Sequence, residues 1–65
     1  MQNYVTLTNS EIADKIGEII HSERDRNIMS LRLIQGYTYE KISELCEMST
    51  VQIKRIVKKY LCMIL

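Results

Sequence analysis

Apolar residues recur along this chain at three- and four-residue steps, and where the recurrence breaks stand residues that start or stop helices. Ile12, Ala13, Ile16, Ile19 and Ile20 make one inward face, with Glu11, Asp14, Lys15 and Glu18 opposite. Thr8 opens this first helix: Glu11, three residues on, has capping-box spacing, and Leu7 with Ile12 has that of a hydrophobic staple. Before it, Tyr4, Val5 and Leu7 lack a helical period and predict an extended arm along the first helix. Gly17 lies in the helix interior, where it costs roughly 1 kcal/mol relative to Ala. A tolerated defect and a close crossing by another helix explain it equally well.

Ser22 caps the second helix, with Glu23 and Asp25 suited to its amide end. Its buried stripe is Ile28, Leu31 and Ile34, widened by Met29 and Leu33, and Gly36 is its left-handed stop. Thr38 caps a third helix that Tyr37 and Ile42 staple, with Ile42, Leu45 and Cys46 inward. The fourth starts from the capping box of Ser49 and Gln52 and the staple of Met48 and Ile53. Ile53, Ile56, Val57, Tyr60, Leu61 and Ile64 then follow a helical period almost to the last residue.

Residues 39–46 and 50–60 are thus two amphipathic segments separated by Glu47, Met48 and Ser49, the layout of a helix-turn-helix. The pattern predicts an all-α, four-helix single domain over residues 1–65. It divides into an arm (1–7), a two-helix platform (8–35), the helix-turn-helix (38–61) and an apolar tail (61–65). That tail outlasts the turn-helix unit and needs a cover. Tyr60, Leu61, Ile64 and Leu65 form a dimer seam, or they fold back onto the first helix to complete a small core.

A chain of 65 residues buries only about 60% of its unfolded surface and commonly leans on staples or a partner. Staples are not expected. Cys46 and Cys62 fall in apolar helical patterns and read as free buried thiols, and one histidine, His21, completes no four-ligand metal site with them. No metal or cofactor is expected. The start MQNYVTL has neither the basic residues nor the apolar run of a signal peptide, and the apolar tail is too short to span a bilayer. A cytoplasmic location, away from membranes, follows as the expectation.

Net charge is +1, but its distribution is uneven. Residues 1–40 carry six acids and four bases, whereas residues 50–65 carry Lys54, Arg55, Lys58 and Lys59 and no acid. A basic stripe on one helix matters more for DNA than the total does. Catalysis is not expected: scattered carboxylates, one histidine and no glycine-rich phosphate loop force no reactive pair together. In a helix-turn-helix the second helix enters the major groove and the first crosses the backbone. Thr50, Val51, Lys54 and Arg55, at the leading end of the outward face, are the candidate base contacts. Lys54 and Arg55 suit guanine, and Thr50 and Val51 suit a thymine methyl. Thr38, Tyr39, Lys41, Ser49, Lys58 and Lys59 are the candidate phosphate contacts. Gln52 is weighted toward its capping role.

GYTYEKISELCEMSTVQIKRIVKKY, with RNIMSLRLIQ before it, resembles region 4 of bacterial sigma factors and the related small regulators of phages and mobile elements. Gly36, Tyr37, Thr38, Tyr39, Glu40, Ile42, Met48, Ser49, Ile53 and Lys54 fill positions of that pattern. The resemblance covers residues 26–60, over half the chain, and departs where the family has a small Ala (here Ser43) and a turn Gly (here Glu47). Nothing before Arg26 resembles the core-polymerase-binding regions of a complete sigma factor. The pattern and the resemblance together lead to the expectation of a stand-alone helix-turn-helix protein that binds double-stranded DNA to regulate transcription; because one such helix contacts few base pairs, a homodimer on a two-fold site is expected. The competing expectation is an adaptor that contacts RNA polymerase or another regulator without reading bases.

Overall fold

Four side-chain oxygens start four helices: α1 (Asn9–Ile19), α2 (Glu23–Leu33), α3 (Tyr39–Cys46) and α4 (Thr50–Ile64). The computed structural model describes residues 7–64, and among them there is no strand. At α1 the Glu11 amide donates to Thr8 Oγ1 (3.2 Å) and the Thr8 amide to Glu11 Oε1 (2.9 Å), closing the expected box. The Thr8 amide bond holds the Glu11 carboxyl below its ordinary value. Ser22 Oγ accepts from the Asp25 amide (3.3 Å) and Thr38 Oγ1 from the Lys41 amide (3.1 Å). At α4 the Gln52 amide donates to Ser49 Oγ and the Ser49 amide to Gln52 Oε1, both at 3.2 Å. Each cap satisfies amides that the helix cannot, typically worth about 1 kcal/mol.

The helix ends are equally local. Ile20 turns extended after α1, and Arg26 reaches back from α2 to donate through Nε to the Ile20 carbonyl (2.6 Å) and through Nη2 to that of Gly17 (3.5 Å). The last turn of α1 has no basic residue of its own, so a guanidinium from the next helix meets its carbonyl end. Gly36 takes φ 76° beyond α2, the left-handed conformation expected of it. After α3 the left-handed residue is Glu47, at φ 56°, and the Met48 amide donates back to the Ser43 carbonyl at 3.1 Å. The turn that commonly uses glycine is therefore kept, with a side chain in a conformation only glycine adopts freely. Ser43 resolves its own departure by donating its hydroxyl to the Glu40 carbonyl at 2.7 Å.

Ile16, Ile20, Ile28, Met29, Ile42, Ile53, Val57 and Ile64 form the buried core. Helix α4 packs against α1, α2 and α3, whereas α1 and α3 do not meet. The apolar overrun of α4 is answered within the chain at Ile64, which is 4% exposed. Ile64 is therefore not free for a dimer seam. Tyr60 is half-buried and its hydroxyl donates to Asp25 Oδ2 at 3.0 Å, pinning the middle of α4 to the start of α2. Asp25, the buried charged residue of the core, also meets Arg24 Nε at 3.2 Å. That carboxylate raises the Tyr60 pKa, chiefly by accepting its proton in a hydrogen bond. Leu61 is half-buried, and Leu65 lies outside the described residues, as does the arm before Leu7.

Several expectations need correction. Leu45 is 52% exposed. An eight-residue helix has room for one buried stripe; at about 100° per residue Tyr39, Ile42 and Cys46 define it, and Leu45 falls well to one side. Ala13 is exposed at the edge of the α1 stripe for the same reason. Cys62 is exposed rather than buried, because nine residues past Ile53 brings it to the opposite side of α4. Cys46 is half-buried, and both thiols are free. A Cβ at Gly17 would meet nothing within 4 Å, so that glycine is a tolerated defect and not a helix crossing. Among the described residues no helix is long and apolar enough to cross a membrane.

Candidate nucleic-acid interface

The side of α4 turned from Ile53 and Val57 presents Val51, Lys54, Arg55 and Lys58, all exposed, with Lys59 and Gln52 on its flanks. This face follows from the stripe: once the core takes its positions, the residues between them have nowhere to point but outward. The Ser49–Gln52 box fixes where α4 begins and hence how that face is rotated relative to α3. Gln52 spends its side-chain oxygen on the Ser49 amide (3.2 Å) and lies 3.3 Å from Ser49 Oγ, the structural role favoured from its spacing.

The expected base-contact set is not uniform. Val51 is 61% exposed, and Lys54 and Arg55 are exposed, but Thr50 is half-buried. Among the expected phosphate contacts, Lys41, Lys58 and Lys59 are exposed. Thr38 and Ser49 are exposed with their hydroxyls already accepting cap bonds; Thr38 keeps its hydroxyl proton for a further acceptor, whereas Ser49 donates its own to Gln52 Oε1 at 3.3 Å. Lys59 Nζ stands over the Tyr60 ring, 5.2 Å from its centroid.

Tyr39 is half-buried at the start of α3, and its ring does more than the sequence suggests. The Arg32 guanidinium stacks 4.3 Å from the ring centroid and Lys54 Nζ lies 5.7 Å from it. Arg32 is further fixed by donating through Nη1 to the Tyr37 carbonyl at 2.9 Å. The turn through Gly36 thus carries a base from the end of α2 onto the surface that α3 and α4 share. Sequence reasoning left Arg32 among the bases of the platform. The one signal for it was its place in the last turn before a left-handed glycine, which is common to helix ends that do nothing else.

The outward face of α4 itself carries bases and no acid. The ion pair among the described residues joins Arg24 to Asp25, away from it, so Arg32, Lys54, Arg55, Lys58 and Lys59 have no carboxylate within pairing distance there. No group of three or more His, Cys, Asp or Glu side chains among the described residues stands as a metal site. The chain significantly matches no protein-family model, no curated protein and no solved structure.

Proposed function

We propose that α3, the turn 47–49 and α4 act as a helix-turn-helix that binds double-stranded DNA with α4 in the major groove, in a transcriptional regulator of the sigma region 4-like type. The observation that carries this reading is the outward face of α4. It holds four exposed bases without a paired acid, on a helix whose start is fixed three residues after α3 and whose other side is seated on the rest of the fold. A rigid, positively charged helix face of this kind matches the width and the phosphate walls of the major groove. Arg55 and Val51, exposed in its first two turns, carry base readout, with Thr50 contributing less because it is half-buried.

One such helix spans few base pairs, so a site of useful specificity takes two copies. With Ile64 in the monomer core, pairing falls to the half-buried Leu61 and the 56%-exposed Met63 at that end of α4.

A second reading, an adaptor for RNA polymerase or another regulator, is favoured by Leu45 and Val51, apolar side chains 52% and 61% exposed on either side of the turn. Binding to duplex DNA across salt concentrations separates the two. Base readout requires affinity that falls steeply with salt. It also requires that Arg55→Ala weaken a preferred site by about 1–3 kcal/mol while relaxing its sequence preference. No binding to any duplex at low salt would leave the adaptor.

A further inference from the structure

The basic surface does not stop at the edge of α4. Arg32 from α2 and Lys54 from α4 both approach the ring of Tyr39, at 4.3 and 5.7 Å from its centroid. The two charges consequently lie within about one Debye length of each other at 0.1 M salt, ~10 Å, and repel. The negative face of the aromatic ring offsets part of that repulsion. Neither cation is ion-paired with a carboxylate among the described residues. Arg32 is also held in place by its bond to the Tyr37 carbonyl. Two cations brought to one ring, neither of them ion-paired, make a receptor for an anion. The guanidinium offers the remaining donors of a planar fork, and the ammonium offers three rotatable ones.

Resting on the DNA-binding reading above, we infer that Arg32 and Lys54 close on a single phosphodiester of duplex DNA, with Tyr39 as the residue that positions both. The location suits the task, since the start of the first helix of such a unit is where the nucleic-acid backbone crosses. The inference adds Arg32, which belongs to neither α3 nor α4, to the interface. It also moves Lys54 from reading bases to gripping the backbone, and leaves Arg55, Val51 and Thr50 as the reading set.

The test measures binding of the full-length chain to a selected duplex and to an unrelated one, across salt concentrations, for the unaltered protein, Arg32→Gln, Lys54→Gln and the double variant. Each single change lowers the salt slope by about 0.9 on both duplexes alike. The double variant loses less affinity than the two single losses combined, because one phosphate is shared. Tyr39→Leu keeps both charges but weakens binding, whereas Tyr39→Phe keeps the ring and the affinity. Thermal melts confirm that each variant is folded, and Arg32→Lys, which retains the charge, preserves most of the slope if Arg32→Gln does not fold. An unchanged slope in Arg32→Gln, or fully additive losses, overturns the shared phosphate. A change in sequence preference at one base position in Lys54→Gln makes that residue a base reader instead. Failure of the unaltered protein to bind either duplex at low salt is a separate outcome: it overturns the DNA-binding reading, and this inference with it.

Discussion

Replacing Glu47 with glycine is expected to stabilise the domain. Glu47 holds φ 56° in the turn between α3 and α4, where a Cβ crowds the neighbouring carbonyl at a cost of about 1–2 kcal/mol. Glycine removes that cost but has more chain entropy to lose on folding, about 0.4–1 kcal/mol. The balance favours glycine by roughly 0.5–1 kcal/mol. At about 4–8 °C per kcal/mol for a domain of this size, Tm rises by roughly 2–8 °C. The carboxylate complicates the comparison, because it stands between the carbonyl end of α3 and the amide end of α4, unfavourable to one and favourable to the other. Glu47→Ala supplies the control, since it removes the charge and keeps the Cβ. Thermal and urea denaturation followed by circular dichroism measure both variants, and the relevant quantity is glycine minus alanine. Equal stability for the two would refute the claim that backbone strain is stored in this turn. If the fold meets DNA through this surface, both variants also bind duplex more tightly at low salt than the unaltered chain, by equal factors, because each loses the same negative charge.

Gly17→Ala is expected to raise stability by about 0.5–1 kcal/mol, since the added methyl meets nothing within 4 Å and a helix interior favours alanine; a loss of stability on thermal melting would contradict the open space there. Ile53→Ala removes a fully buried side chain at the contact of α4 with the core and is expected to cost about 2–5 kcal/mol, a large share of the roughly 3–10 kcal/mol available to a domain this small. A cost under about 1 kcal/mol in urea titration would mean that the site collapses without a cavity. Tyr60 holds its proton more tightly when folded than its ordinary value of about 10. Its contribution is therefore fully present below that pH and lost as pH climbs through the raised value. Melting temperatures followed into alkaline solution should fall more steeply for the unaltered chain than for Tyr60→Phe, and parallel curves would break the link to Asp25.

What the sequence made legible was whatever is encoded within one helical turn. The Thr8–Glu11 and Ser49–Gln52 boxes, the caps at Ser22 and Thr38 and the left-handed Gly36 are all contacts over a few residues, and all stand where spacing put them. Contacts between helices were not legible. Asp25 with Tyr60, Arg26 with the end of α1 and Arg32 over Tyr39 each depend on how helices are set against one another, which no local period records. The same limit explains Leu45 and Cys62. Apolar character marks a residue as suited to burial, but the rotation of the helix decides whether a neighbour is there. At the candidate interface, the exposed bases of α4 follow directly from subtracting its stripe, whereas the half-burial of Thr50 and the arrival of Arg32 do not.

Helix α4 touches each of the other three helices, while α1 and α3 never touch each other. There is accordingly no scaffold from which the basic face could be detached, and no part of the molecule that could stay in place while that face is remodelled. Drift on the inner side of α4 would tilt what its outer side presents, so a new outer surface must arise through the outward positions alone, a handful of residues. On the proposed DNA-binding reading, a protein of this construction can change its target by a few surface substitutions. It has little freedom to change how it approaches one.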